Sequence, residues 1–240
     1  MHNIYNKIFK DTFVFMDVNP EEIIDMLFLL INEVSVMVTV IAVVVSSFDH
    51  VKQVVIEKKF TYKNQIIMIL LFGAFSIFGN YSGEKLSSGA IANIRDIGPL
   101  VAGLIGGPII GLGAGLIGGI NRYYGGGFTA LPCSIATISA GLIGGLVYKY
   151  NNKEFVGAYN ATIIAALIEL YHMGITLVLA RPFNQALEVV KIVVIPMTLS
   201  NALGVAIFSL IIGSLIKDKK KIKELEENMD IITAKEEDKI

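Results

Sequence analysis

A single cysteine, Cys133, in 240 residues excludes an internal disulfide framework and a four-cysteine metal cage. Charge is also scarce: Asp, Glu, Lys and Arg make up 17% of the chain, against about a quarter in a soluble domain. The stretch from Met1 to Pro20 is polar and mixed in charge, so it lacks the basic start, apolar middle and small-residue end of a cleavable signal. No Walker loop, metal cage, Ser-His-Asp set or basic nucleic-acid face is present, and no repeat of 20–50 residues is evident. The most telling gap is local. Between Arg95 and Arg122 lie nine glycines and not one basic residue.

Apolar residues fill the space that charge leaves. They make up 54% of the chain, mean hydropathy is +0.65, and segments of about 20 apolar residues recur, the length that crosses a bilayer core. The chain reads as an all-α polytopic membrane helix bundle. Spans are expected at Ile23 to Ser47, Asn64 to Gly79, Thr129 to Tyr148, Gly157 to Ala180 and Lys191 to Ile216, with a polar loop from His50 to Lys63. The domain division is an N-terminal segment, 1–22, a transmembrane domain, 23–216, and a charged helix, 217–240. The net charge of −1 says nothing about partners, because the charges sit in loops and tail. Ile222, Leu225, Met229 and Ile232 are spaced three, four and three in that tail, which suits either a short coiled coil or a solvated face.

Charge parity sets the topology. The lysine-rich tail (Lys217, Lys219, Lys220, Lys221, Lys223) and the loop with Lys52, Lys58, Lys59 and Lys63 both belong on the cytoplasmic side. An even number of crossings must separate them, yet five apolar segments lie between. One segment must therefore enter and leave on one face, and Ile97 to Ile120 fits best because Gly106-Gly107-Pro108 stands at its midpoint. Such a hairpin returns Arg95 and Arg122 to the same outer face. The rival is a straight helix with a close-packing stripe at Gly103, Gly107, Gly111, Gly115 and Gly119. The expected bundle is thus five crossing helices plus a glycine-rich re-entrant or broken helix, followed by a short cytoplasmic helix.

Arginines beside apolar segments are costly and mark function. Arg95 and Arg122 suit a clamp for a small anion, since guanidinium grips carboxylate or phosphate through paired N–H groups. As simple topological anchors, Arg95 would instead pair with Asp96. Cys133, just past Pro132, would line the basic pocket or serve as a small packing residue. Glu169 and His172 lie three apart on one helix face and form either a proton-sensitive pair or a helix-locking hydrogen bond. Asn93, Thr129 and Asn201 are expected to satisfy backbone groups freed by Pro99, Pro196 and the glycine loop.

The motif Asn93-Ile94-Arg95-Asp96-Ile97-Gly98-Pro99, then Ala102-Gly103-Leu104, Gly107-Pro108, Asn121-Arg122-Tyr123, Gly126-Gly127-Phe128-Thr129-Ala130, Cys133 and Ala136-Thr137 resembles the LytS-type five-transmembrane receptor domain. Glu169, His172-Met173, Ala180-Arg181-Pro182 and Pro196 with Asn201 fit the same pattern, which covers about residues 50–216. The resemblance implies the membrane sensor of a bacterial two-component histidine kinase, in a family linked to cell-wall and autolysis control, some of whose members sense pyruvate. In those members two arginines, a cysteine and a serine are implicated in recognition. Arg95, Arg122 and Cys133 match, whereas Ala136 takes the serine's place, and Ser134 lies about 100° or more around the helix. The expected function is therefore sensing of a small carboxylate metabolite from the outer side, with signalling through the last helix. No catalytic kinase domain is expected within these residues, and no cofactor. Expected partners are the small anionic metabolite, membrane lipid, a second copy in a homodimer, a separate kinase output and a LytTR-type response regulator, with no nucleic acid. The expected place is the bacterial cell membrane, multi-pass, with a cytoplasmic C-terminus. The alternative is a small-solute uptake protein similar to the substrate-binding subunit of a vitamin transporter.

Overall fold

The computed structural model describes residues 19–237; the N-terminal segment expected over 1–22 lies mostly outside them. Eight helices are present among the described residues: α1 Pro20–Ser47, α2 Asp49–Val55, α3 Tyr62–Ser82, α4 Ile97–Gly106, α5 Pro108–Tyr124, α6 Ala130–Tyr150, α7 Gly157–Leu179 and α8 Phe183–Glu237. Strands β1 Glu84–Lys85 and β2 Ile91–Ala92 pair antiparallel between α3 and α4. Five helices (α1, α3, α6, α7 and α8) are long and apolar enough to cross a membrane. Their outer faces expose Phe28, Val43, Leu70, Leu167, Val178 and Leu210, while Arg95, Asp96, Arg122, Glu169 and His172 are buried. Apolar outside and charged inside is the pattern of a bundle solvated by lipid tails.

Local chemistry sets the helix ends. Asn19 caps α1 by accepting from the Glu21 amide at 3.1 Å, with Pro20 in the first turn. Thr61 caps α3 through the Asn64 amide at 3.2 Å. The expected loop from His50 to Lys63 contains α2, a short amphipathic helix that buries Val51, Val54 and Val55. The lysines of the loop mask it in the sequence, and it is pinned by Asn64, whose side chain meets His50 at 2.9 Å and Gln53 at 3.0 Å.

The glycine-rich run forms a helical hairpin. Gly107 has φ +84° and ψ −176°, a conformation reserved for glycine, and Pro108 starts the next helix. A Cβ on Gly111 would collide with the Cα of Gly103, so α4 and α5 fold back on each other with their backbones touching. The stripe of small residues exists as well. Gly111 meets the Gly141 carbonyl, Gly115 meets Ile138 and Gly119 meets the Ser134 carbonyl, all on α6. The break and the stripe, weighed as rivals in the sequence, work together: the hairpin fits because both arms present glycine to α6.

One end of the bundle holds two hydrogen-bonded groups, Asn80 with Arg95 and Asn121, and Arg122 with Thr129. The other end holds the hairpin tip and the lysines. Lys58 Nζ donates to the Lys153 carbonyl at 3.2 Å and lies 3.8 Å from Glu154, joining the α2–α3 loop to the α6–α7 loop. Helix α8 starts at the arginine end, where Gln185 Nε2 donates to the Ser88 carbonyl at 3.4 Å. It then runs unbroken for 55 residues, about 80 Å at 1.5 Å per residue. The charged helix expected after Ile216 is the far end of this element, continuous with the last span.

Candidate functional site

The site forms where the entrance of α4 meets α6 and α7. Asn93 Oδ1 accepts from the Arg95 amide at 3.2 Å and sets the turn that points Arg95 and Asp96 inward. Gly79 lets this turn lie on α3, since a Cβ there would stand 2.9 Å from the Arg95 backbone. Both arginine side chains are fully buried, 0% exposed.

Arg95 Nε donates to Thr137 Oγ1 at 2.7 Å and Nη1 donates to Asn80 Oδ1 at 3.0 Å. Thr137 Oγ1 in turn donates to Asp96 Oδ1 at 2.6 Å, the oxygen that also lies 3.6 Å from Arg95 Nε. Arg122 Nη1 donates to the Gly126 carbonyl at 2.7 Å and Nη2 to Thr129 Oγ1 at 2.9 Å. Each guanidinium keeps one buried donor without a hydrogen bond: Nη2 of Arg95 and Nε of Arg122. Cys133, buried on α6, interacts with His172, Arg95 and Arg122.

On α7, His172 Nδ1 stands 3.3 Å from Glu169 Oε1 and 3.0 Å from Asp96 Oδ2. The pair expected from the sequence is thus a trio. A cavity of about 20 Å³ adjoins it, lined by Thr129, Cys133, His172, Met173 and Thr176 and, from α8, by Val189, Val190, Val193 and Met197. That is room for about one water. A larger guest must push its walls apart.

The structure brings Arg95, Arg122, Cys133, Thr129, Glu169 and His172 together, with Asn93 as support. Asn201 stands to one side. Its Nδ2 donates to the Met197 carbonyl at 2.9 Å and the Asn93 carbonyl at 3.3 Å, tethering α8 to the turn before Arg95. Asn93 and Thr129 serve the two arginines rather than proline-freed carbonyls. Asp96, Thr137 and Asn80 were not picked out as site residues. The available signals were that Asp96 adjoins Arg95 and that Thr137 falls one turn after Cys133. Ser134 spends its hydroxyl on the Ala130 carbonyl at 2.7 Å, on the side where α6 meets Gly119.

The family model described as 5TMR of 5TMR-LYT matches residues 48–215. Sensor protein LytS of Bacillus subtilis (strain 168) is 35% identical over 184 residues, covering 69% of this chain and 31% of the relative. Sensor histidine kinase BtsS of Escherichia coli (strain K12) is 36% identical over 150 residues, covering 60% of this chain and 27% of the relative. Sensor protein LytS of Staphylococcus epidermidis (strain ATCC 12228 / FDA PCI 1200) is 29% identical over 217 residues, covering 83% and 36%. The chain thus spans about a third of the length of these relatives. No solved structure matches it. With five apolar helices, a glycine hairpin and this family match, the chain belongs to the LytS-type five-transmembrane receptor family and corresponds to the sensor region of LytS and BtsS histidine kinases.

Proposed function

We propose that the chain is the receptor half of a two-component signalling system and binds a small carboxylate metabolite between α4, α6 and α7. The observation that carries this reading is the pair of buried guanidinium groups near Cys133, each with one nitrogen that has no hydrogen bond. A buried donor without a partner costs about 1–3 kcal/mol, and an anionic oxygen relieves that cost at both arginines. The clamp is then two single donors from two helix ends rather than one two-pronged fork. Ala136, where pyruvate-sensing relatives have serine, offers no hydrogen bond, so the ligand class is small 2-oxo and 2-hydroxy acids rather than pyruvate alone.

The lysine end faces the cytoplasm, because Lys52, Lys58, Lys59, Lys63, Lys149, Lys153 and the tail lysines gather there. The ligand then enters from outside, and the C-terminus is cytoplasmic. Helix α8 supplies four of the residues that line the cavity, so a ligand larger than a water displaces α8. The rest of that helix carries the displacement to a kinase output and, through it, to a response regulator of the LytTR type, in control of cell wall turnover or metabolite uptake.

Titration calorimetry against a panel of 2-oxo and 2-hydroxy acids tests the site. Arg122→Ala is expected to abolish binding and Arg122→Lys to recover it in part, since each lost charge-assisted hydrogen bond costs about 1.5–3 kcal/mol, roughly ten- to hundredfold. Equal affinity in wild type and Arg122→Ala would reduce the arginine to a strut for the Gly126 loop.

A further inference from the structure

Asp96, Glu169 and His172 present one another with three atoms that have no hydrogen bond: Oδ2, Oε1 and Nδ1. All three residues are at most 4% exposed, and the ligand atoms lie within 4.8 Å of each other. We infer that they form a binding site for one divalent first-row transition-metal ion, Zn²⁺ being the best fit. The assignment is independent of which anion the arginines hold.

Four observations carry it. The first is spacing: Nδ1 lies 3.0 Å from Oδ2 and 3.3 Å from Oε1. Two ligands bound at about 2.0–2.2 Å and at roughly 90–110° to each other stand about 3.0–3.5 Å apart. The second is direction. Despite these short separations, none of the three atoms makes a hydrogen bond of good geometry. A histidine placed to donate a proton would aim at one of them.

The third is orientation of the carboxylate. Thr137 Oγ1 and Arg95 both address Oδ1 of Asp96, at 2.6 and 3.6 Å. That leaves Oδ2 to the trio, as an outer partner does for a metal-ligating carboxylate. The fourth is the donor set. Two carboxylates and an imidazole are three protein ligands for zinc with a position left open. A cavity lined by His172, Thr129 and Cys133 lies beside the trio.

The test uses the full chain in nanodiscs, stripped with a chelator and titrated with Zn²⁺ and with Co²⁺ as a coloured probe. Expected is one equivalent per chain, and at least about tenfold weaker binding in Glu169→Gln, as loss of even an outer partner costs 10- to 100-fold. His2→Ala and His50→Ala are expected to leave affinity unchanged. X-ray absorption of the zinc-loaded wild type decides the matter without a variant: the site requires one imidazole with oxygen neighbours at about 2.0–2.2 Å. No stoichiometric uptake by the wild type, or a shell containing sulfur or several imidazoles, overturns the assignment.

Discussion

The hydroxyl of Thr137 serves two charges at once, accepting from Arg95 Nε and donating to Asp96 Oδ1. Thr137→Val keeps the shape and strands both groups in a buried site. The expected cost is about 1–3 kcal/mol for each group left unsatisfied, read as a lower thermal midpoint in detergent. Thr137→Ser restores the hydroxyl and is expected to recover most of the loss. An unchanged midpoint in Thr137→Val would mean that the two charges find other partners. This threonine shows where sequence reading stops. Arg95, Arg122, Glu169 and His172 stand out because charge in apolar surroundings is expensive. A threonine in an apolar helix carries no such signal, and only its position beside Asp96 gives it a role.

At the scale of elements, the α4–α5 hairpin depends on contacts that exclude a side chain. Gly111 and Gly141 each meet the other's carbonyl oxygen, and Gly145 lies against Pro108. Gly141→Ala is expected to push α6 away from the hairpin at a cost of about 1–3 kcal/mol, as overpacking does elsewhere. Gly174→Ala and Gly213→Ala, where a Cβ meets nothing within 4 Å, are expected to be neutral or slightly stabilising in the same unfolding assay. Equal effects at Gly141 and Gly174 would contradict this packing. The five spans and the break at Gly107 were legible because length, hydropathy and a Gly-Gly-Pro turn are local properties. Helix α2 was not, since its three buried valines gain meaning only when α3 supplies Asn64 to hold it.

For the whole molecule, the arrangement predicts that Ser88 and Gly125 share one face of the membrane and Lys153 lies on the other. Impermeant labelling of cysteines at these positions, in a Cys133→Ala background, checks it; labelling of Ser88 and Gly125 from opposite sides would sink the hairpin topology. The far part of α8 exposes Ile222 and Leu225, at 49% and 55%, while the side chain of Ile232 lies outside those described. We expect these tails to pair in parallel in a homodimer, with spin labels at Lys220 reporting a separation that changes on adding the carboxylate. A monomer whose tail ignores the ligand would favour the uptake reading instead. That α8 is one continuous helix from Phe183 to Glu237 also fixes the angular phase of anything attached beyond it. Each residue inserted after Ile216 turns the downstream face by about 100°, and a seven-residue insertion brings it back to within about 20°. A graft of this sensor onto a foreign output is therefore expected to signal at some splice lengths and to invert or fall silent at others, with a repeat of seven residues.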